Sequence, residues 1–301
     1  MYHYIRNFRE TEFKGLKGET ENQFIKQIRY LDENFERATI EKIHDYLSGT
    51  YKPKKNLYVL TFDDGLKEHG NFVTEVLDKH QIEGQFFIPT MCIDEETVLP
   101  VHKNHFLLAY LGIRQYEAMF RLALLERYPA QDISIQDIIV QRTYRWDEIE
   151  VARFKYLINY KLPLSIRDEI LDIVFQDVFD DEPSFSKSIY LNDLELKNMR
   201  SAGMVIGGHS HSHNVLSSLT KTEQSEDLHQ NLALLKPYVS DQLLTPFSFP
   251  FGKKDTYNSH TLDILKQLNV SMAYSTIVED STEASSMYEI GRVDPKDIPA
   301  K

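Results

Sequence analysis

Cysteine is almost absent from this 301-residue chain, with Cys92 the only one. An intramolecular disulfide and a CxxC pair for zinc or thiol redox work are therefore excluded, and any resident metal has to be held by histidine and carboxylate. Basic residues are also short: 34 Lys and Arg against 46 Asp and Glu leave a formal net charge of -12. A surface that tracks phosphates needs the opposite surplus, so no nucleic-acid partner or anionic membrane is expected. No apolar run approaches the roughly 18 residues of a transmembrane helix. The opening residues, Met1 to Phe8, lack a basic start followed by an apolar run, and the chain as it stands reads as cytoplasmic. Fixed-period repeats, low-complexity tracts and Gly/Ser linkers are missing too, which argues against a solenoid or loosely tethered modules.

What is present is the balance of an ordinary globular protein, 42% apolar and 27% charged with 12% aromatic residues. The length allows one large α/β domain or two small ones, and a single catalytic domain over 1–301 is expected. Leu57 to Phe62 form a short β-rich run stopped by Asp63-Asp64-Gly65. Helical spacing at Phe72, Val73, Val76 and Leu77 follows, then a second strand at Gln85 to Pro89. Strand, helix, strand implies a parallel βαβ unit. The pattern returns late in the chain: a helix over 194–202 before a strand at Met204 to Gly208, a helix over about 222–236 before Leu244 to Gly252, and Leu262 to Leu268 before Val270 to Tyr274. Between about 91 and 190 it gives way to long amphipathic helices, including 104–127 and 147–160. An inserted helical lobe is predicted there, left through the acidic, proline-containing Phe179 to Ser184. Repeated βα units gathering polar residues beyond strand C-termini describe a barrel-like enzyme with its site on that face.

Two such strand ends carry chemistry. His209-Ser210-His211-Ser212-His213 packs three of the 11 histidines into five residues after two glycines. On a helical turn His209 and His213 would share a face; on an extended strand all three would. Two imidazoles need a third ligand, and Asp63 or Asp64 can supply it, because neighbours on extended chain point opposite ways and one carboxylate can stay free. Two histidines and a carboxylate leave an open position for water acidified by a divalent ion, which is hydrolytic chemistry.

Thr61-Phe62-Asp63-Asp64-Gly65, then Phe86 to Thr90, then Ala202-Gly203 leading to His209 to His213, resembles the polysaccharide deacetylases, the NodB-homology domains or family 4 carbohydrate esterases. The resemblance covers roughly residues 57–90 and 190–275. It implies a distorted barrel of about seven βα units. It also implies that Asp63 is the catalytic base, and that Asp64, His209 and His213 hold a divalent metal, usually Zn2+, with Co2+, Mn2+ or Ni2+ as alternatives. His211 falls on a variable position. The family's Arg-x-Pro-Tyr motif is Ser248-Phe249-Pro250-Phe251 here, which resembles the poly-N-acetylglucosamine deacetylase branch more than chitin deacetylases. The main-chain N–H of Phe251 remains a candidate oxyanion donor, since no particular side chain is needed for that role.

The family's C-terminal Leu-x-x-His, source of its general acid, has no counterpart, because no histidine follows Val270. His260, at a helix start, is expected to lie outside the site. His102 and then His105, opening the lobe, are the candidates for the acid, and Arg292 for a residue that orients a catalytic carboxylate. Trp146 is a candidate for sugar stacking against a stronger expectation of packing, and His3 is expected to be buried and structural, with contact to the site as the lesser alternative. The implied function is metal-dependent removal of acetyl groups from the N-acetylated sugars of a polysaccharide or glycan precursor. O-acetyl ester hydrolysis and non-catalytic carbohydrate binding are the alternatives.

Overall fold

The computed structural model describes residues 1–135, 140, 144, 147–277 and 286–300. They form two compact units, one of Met1–Asn7, Lys17–Thr97 and Ser186–Lys301, the other of Phe8–Leu16 and Val98–Phe185.

The first unit opens with α1 (Glu21–Asn34), β1 (Glu36–Arg37) and α2 (Ile40–Leu47), and continues through β2 (Leu57–Tyr58), β3 (Leu60–Asp63), α3 (Thr74–Lys79), β4 (Gly84–Ile88) and α4 (Met91–Asp94). Strand β1 pairs only with β2. The second unit follows, with α5 (Pro100–Arg127), α6 (Ile149–Tyr156) and α7 (Leu164–Val178). The boundary falls within α8 (Glu182–Ile189), and α9 (Asp193–Ser201), β5 (Val205–Gly208), α10 (Lys221–Val239), β6 (Pro246–Ser248), α11 (Ser259–Gln267), β7 (Met272–Ser275) and β8 (Ile290–Gly291) complete the first unit.

Strands β3 to β8 form one sheet in sequence order, every pair parallel. The sheet curls. Tyr2 bridges to Phe62 in parallel on the free side of β3, donating its N–H to Thr61, while the Met1 nitrogen reaches the Val293 carbonyl just beyond β8. The first residues thus take a seventh position between the two edge strands, and the expected α/β class with a distorted (β/α)7 barrel is the fold observed.

Three of the helix-to-strand joints share one device. After α3, α9 and α11 the chain turns through a left-handed residue, Gln81, Gly203 or Asn269. The next N–H bonds back into the helix, Ile82 to Leu77, Met204 to Met199 and Val270 to Leu265, which is the Schellman stop. Starts are equally explicit: Thr20, Asn192, Thr220 and Asn258 cap α1, α9, α10 and α11 with full capping boxes. Strand alternation sorts the core. Phe62 and Phe86 stack at 4.6 Å in one cluster with Phe24 and Ile28, whereas the next residue, Phe87, joins Met272 and Tyr274 in another.

The helical unit is built on α5, which breaks at Gly112 (φ 73, ψ 163), a conformation open to glycine alone at low cost. Tyr116, Phe120 and Phe154 meet edge to face at its centre. Helix α6 runs into a π turn at Leu157–Lys161. Phe8–Leu16 belongs to this unit through Phe13, whose ring packs 4.8 Å from Phe106 and 5.8 Å from Phe185. Among the described residues no helix is long and apolar enough to cross a membrane.

Candidate active site

Strand β3 ends at Asp63, and the next two residues, Asp64 (φ 80) and Gly65 (φ 62), are both left-handed. That reversal separates the adjacent carboxylates. Asp64 turns to the histidine loop, where its Oδ1 lies 3.3 Å from His209 Nε2 and 3.2 Å from His213 Nε2. The loop is neither helix nor strand. Ser210 (φ 62) and His213 (φ 56) are left-handed, and this brings the two outer rings to 4.8 Å between centroids. His211 turns away, with Nδ1 3.0 Å from Thr90 Oγ1 and Nε2 3.3 Å from Glu95 Oε1.

Asp64, His209 and His213 are all buried, and their ligand atoms lie within 4.8 Å of one another. His209 Nδ1 donates to the Ser248 carbonyl at 2.7 Å, so a neutral ring presents the Nε2 lone pair to Asp64 Oδ1. Burial alone would lower the His209 pKa, but the charges of Asp63 and Asp64 outweigh it and raise it. Two imidazole nitrogens aimed at one carboxylate oxygen need a positive charge among them, either a proton or a cation. The donor set of two histidines and one carboxylate fits a divalent ion with open positions.

Asp63 lies on the other side of the reversal. Arg292 Nη1 and Nη2 donate to its two oxygens at 2.7 Å each, and Nη2 also donates to Ser248 Oγ at 2.8 Å. The guanidinium sits over the Phe87 and Tyr274 rings, 5.6 and 5.9 Å from their centroids. Burial pushes the Asp63 carboxyl up, yet the Arg292 and His209 charges dominate and hold it well below the usual range. The carboxylate is ionised and fixed in orientation by a bidentate fork.

His3 departs from expectation. Rather than buried, its side chain is 42% exposed, with Nε2 4.0 Å from Asp63 Oδ2. Alternation explains the reversal: Tyr2 and Tyr4 occupy the buried side, 1% and 4% exposed, and turn the residue between them the other way. The buried His69 ring fixes this segment, its Nε2 donating to the His3 carbonyl at 2.9 Å. Tyr-His-Tyr on an edge segment was the available signal.

Phe251 is left-handed (φ 61) beyond β6, its ring 5.4 Å from that of His213. Gly252 follows, where a Cβ would fall 2.8 Å from the Thr276 side chain. His102 belongs to the helical unit, in the first turn of α5, fully buried with its ring 5.9 Å from that of His105. His260 is exposed at the start of α11. Trp146 lies outside the described residues.

Residues 181–273 match the family model described as polysaccharide deacetylase. Among solved structures, a Streptococcus pyogenes deacetylase, PplD, in complex with acetate is similar with a TM-score of 0.58 at 16% identity, over 99% of this chain and 93% of that one. IcaB from Ammonifex degensii gives 0.58 at 16% identity over 99% and 92%. A de-N-acetylase from Aggregatibacter actinomycetemcomitans gives 0.54 at 14% over 98% and 94%. No protein with a curated description matches the chain. At these identities the structural likenesses speak for the fold.

Proposed function

From a chain with the polysaccharide deacetylase fold and, over residues 181–273, that family's sequence pattern, we infer a metal-dependent enzyme that removes acetyl groups from N-acetylated sugars of a polysaccharide or glycan precursor. The observation that supports it most is the division of labour at the end of β3. Asp64 converges with His209 and His213 while its neighbour Asp63 is held ionised by Arg292.

Asp64, His209 and His213 would hold the cation, zinc or another divalent ion, which when bound supplies Lewis acidity and an acidified water. Asp63 accepts the proton of the attacking water at a carboxylate oxygen, and Arg292 keeps that oxygen aimed. The water oxygen bonds to the acetyl carbonyl carbon, and the Phe251 N–H donates to the oxygen that gains negative charge. The carbon–nitrogen bond then breaks as a donor protonates the amine, releasing acetate and the free amino sugar. His3 fills that last role best, because it is a solvent-reaching imidazole 4.0 Å from Asp63 within the barrel unit itself. His102, the donor expected from sequence, is its competitor. An available proton donor favours amide over ester hydrolysis, since an amine leaves poorly without a proton and an alkoxide leaves more easily.

The test compares the zinc-loaded protein with Asp63→Asn, His3→Asn and His102→Asn on N-acetylated oligosaccharides and on an aryl acetate. Asp63→Asn is expected to lose about 10²–10⁴ in rate on both. His3→Asn loses on the order of 10² on the amide and little on the aryl ester. His102→Asn stays near wild type. Equal, slow acetate release by wild type and Asp63→Asn would remove the enzyme reading, and a large loss confined to His102→Asn would reassign the acid.

A further inference from the structure

The buried stripe of α10 is not wholly apolar. Asp227 and Asn231, one helical turn apart, face inward with Gln224, Leu228 and Leu235 at 9% and 0% exposure. Burying a carboxylate and an amide costs free energy unless each finds partners. Both find them on the backbone around the metal-binding cluster. Asp227 Oδ1 accepts from the His211 N–H at 2.7 Å, and Oδ2 accepts from the Ser212 N–H at 3.0 Å and the Ser212 hydroxyl at 2.5 Å. Asn231 Nδ2 donates to the Ser210 carbonyl at 2.7 Å, the Ile88 carbonyl at 3.0 Å and Thr90 Oγ1 at 3.2 Å. Five of these six contacts fall on main chain or on the loop's own serine, and together they tie the ends of β4 and β5 to one helix. Gly208 lets the loop come that close, since a Cβ there would lie 2.6 Å from Asn231 Oδ1.

The loop needs such a clamp. Two of its five residues, Ser210 and His213, are non-glycine residues in the left-handed region, each costing on the order of 1–2 kcal/mol against an ordinary conformation. Within the loop, the His213 N–H to Ser210 Oγ bond at 3.0 Å spans the turn. Released, the chain relaxes toward right-handed dihedrals and carries His213 away from Asp64.

We propose that Asp227 and Asn231 are positioning residues that hold the His209–His213 loop in its strained conformation and so set the affinity and coordination geometry of the divalent cation. This rests on the reading of Asp64, His209 and His213 as metal ligands. Neither residue belongs to the Asp64, His209 and His213 cluster itself. They act through the backbone on which two of the three ligands are mounted, as supporting hydrogen bonds around metal sites do elsewhere.

The test uses the full chain freed of metal with a chelator. Zn2+ is titrated in competition with a chromogenic chelator, Co2+ by its visible absorption, and the metal-free melting temperature is recorded alongside. Asp227→Ala and Asn231→Ala are expected to bind Zn2+ about 10- to 100-fold more weakly than wild type and to show an altered cobalt spectrum. Asp227→Asn, which keeps the shape and one acceptor oxygen, is expected to lie between. A purely structural role would lower the metal-free melting temperature and leave the cobalt spectrum unchanged. Folded Asp227→Ala with Zn2+ affinity within about twofold of wild type and an unaltered cobalt band overturns the proposal. If Asp227→Ala does not fold, Asp227→Asn decides by the same criterion. A wild type that binds neither metal overturns the ligand reading and this proposal with it; a wild type that binds while the variants bind equally well overturns this proposal alone.

Discussion

Lys103 in the helical unit and Asp63 in the barrel unit are buried almost equally, at 3% and 2% exposure, yet their charges are met in different ways. Lys103 Nζ lies 2.5 Å from Asp172 and 2.7 Å from Glu182, with the Phe175 ring at 5.5 Å. The Asp172 side chain is 61% exposed, so water shares the charge. Asp63 and Arg292 are both enclosed, at 3% and 5% of their side chains, and a second charged group, Asp64 with two histidines, begins at the next residue. One unit neutralises a buried charge and lets it reach solvent; the other encloses two sets of charges side by side and keeps them apart by a backbone reversal. Left-handed backbone divides along similar lines. Among the described residues every non-glycine with positive φ lies in the barrel unit. Gln81, Glu96 and Asn269 follow helix ends, while Asp64, Ser210, His213 and Phe251 gather at the strand ends of the site. Strain held in place by surrounding contacts marks a site selected for geometry rather than stability.

The contrast is broken or sharpened first by removing one cation from each region. Arg292→Met leaves Asp63 enclosed without its partner and is expected to cost roughly 3–5 kcal/mol of stability. Lys103→Met leaves Asp172 to water and Glu182 with the Val98 N–H that donates to it, and is expected to cost less, about 1 kcal/mol. Urea unfolding of both variants checks this. Equal losses would mean that enclosure of the Asp63 pair does not set its energetics.

The barrel half was legible because its signals are local. Apolar β-rich runs ending in Asp-Asp-Gly or Gly-Gly-His need only their neighbours to be read; most of the expected strands differ from the observed ones by a residue or two, with Val59 interrupting the first, whereas the 244–252 run keeps only Pro246–Ser248 as strand. Asp64, His209 and His213 could be grouped from spacing and resemblance, although the loop geometry could not, because neither helix nor strand describes two left-handed residues three apart. The exposed His3 side chain departs from the buried placement favoured for it, although alternation between two tyrosines already pointed outward. Asp227, Asn231 and the membership of Phe8–Leu16 in the helical unit were invisible, since each depends on contacts across tens of residues. A lone carboxylate on an amphipathic helix looks like solvent-facing charge until its partners are placed.

A smaller effect comes from the helix ends, where left-handed backbone has no catalytic use. Gln81 and Gly203 occupy the same place in two repeats of one helix-to-strand joint. Gln81 is exposed at φ 54, so glycine would relieve a left-handed penalty of roughly 1–2 kcal/mol against an unfolded-state entropy cost of about 0.4–1 kcal/mol. Gln81→Gly is expected to gain up to about 1 kcal/mol with activity unchanged. A loss of stability would show that the glutamine side chain compensates the strain at this joint.

The smallest expected effect sets two carboxylates at opposite ends of β3 and β4 against each other. Asp63, the last residue of β3, is shifted down by Arg292; Glu83, just before β4, is pushed up to about 7 by burial, although the Ile40 N–H donates to its Oε1 at 2.6 Å. Because the folded pKa of Glu83 is raised, the folded state holds the proton more tightly than the unfolded chain between about pH 4.3 and its own value. The stabilisation is complete below the unfolded pKa and is lost as pH rises through 7. Glu83→Gln keeps an acceptor for Ile40 and removes the titration, so the difference in unfolding free energy between variant and wild type should move in the variant's favour across that window, by on the order of 1 kcal/mol once solvent screening of a half-buried group is allowed for. A difference that stays flat from pH 4.5 to 8 would place the Glu83 carboxylate in contact with water rather than in the enclosure that pushes its pKa up.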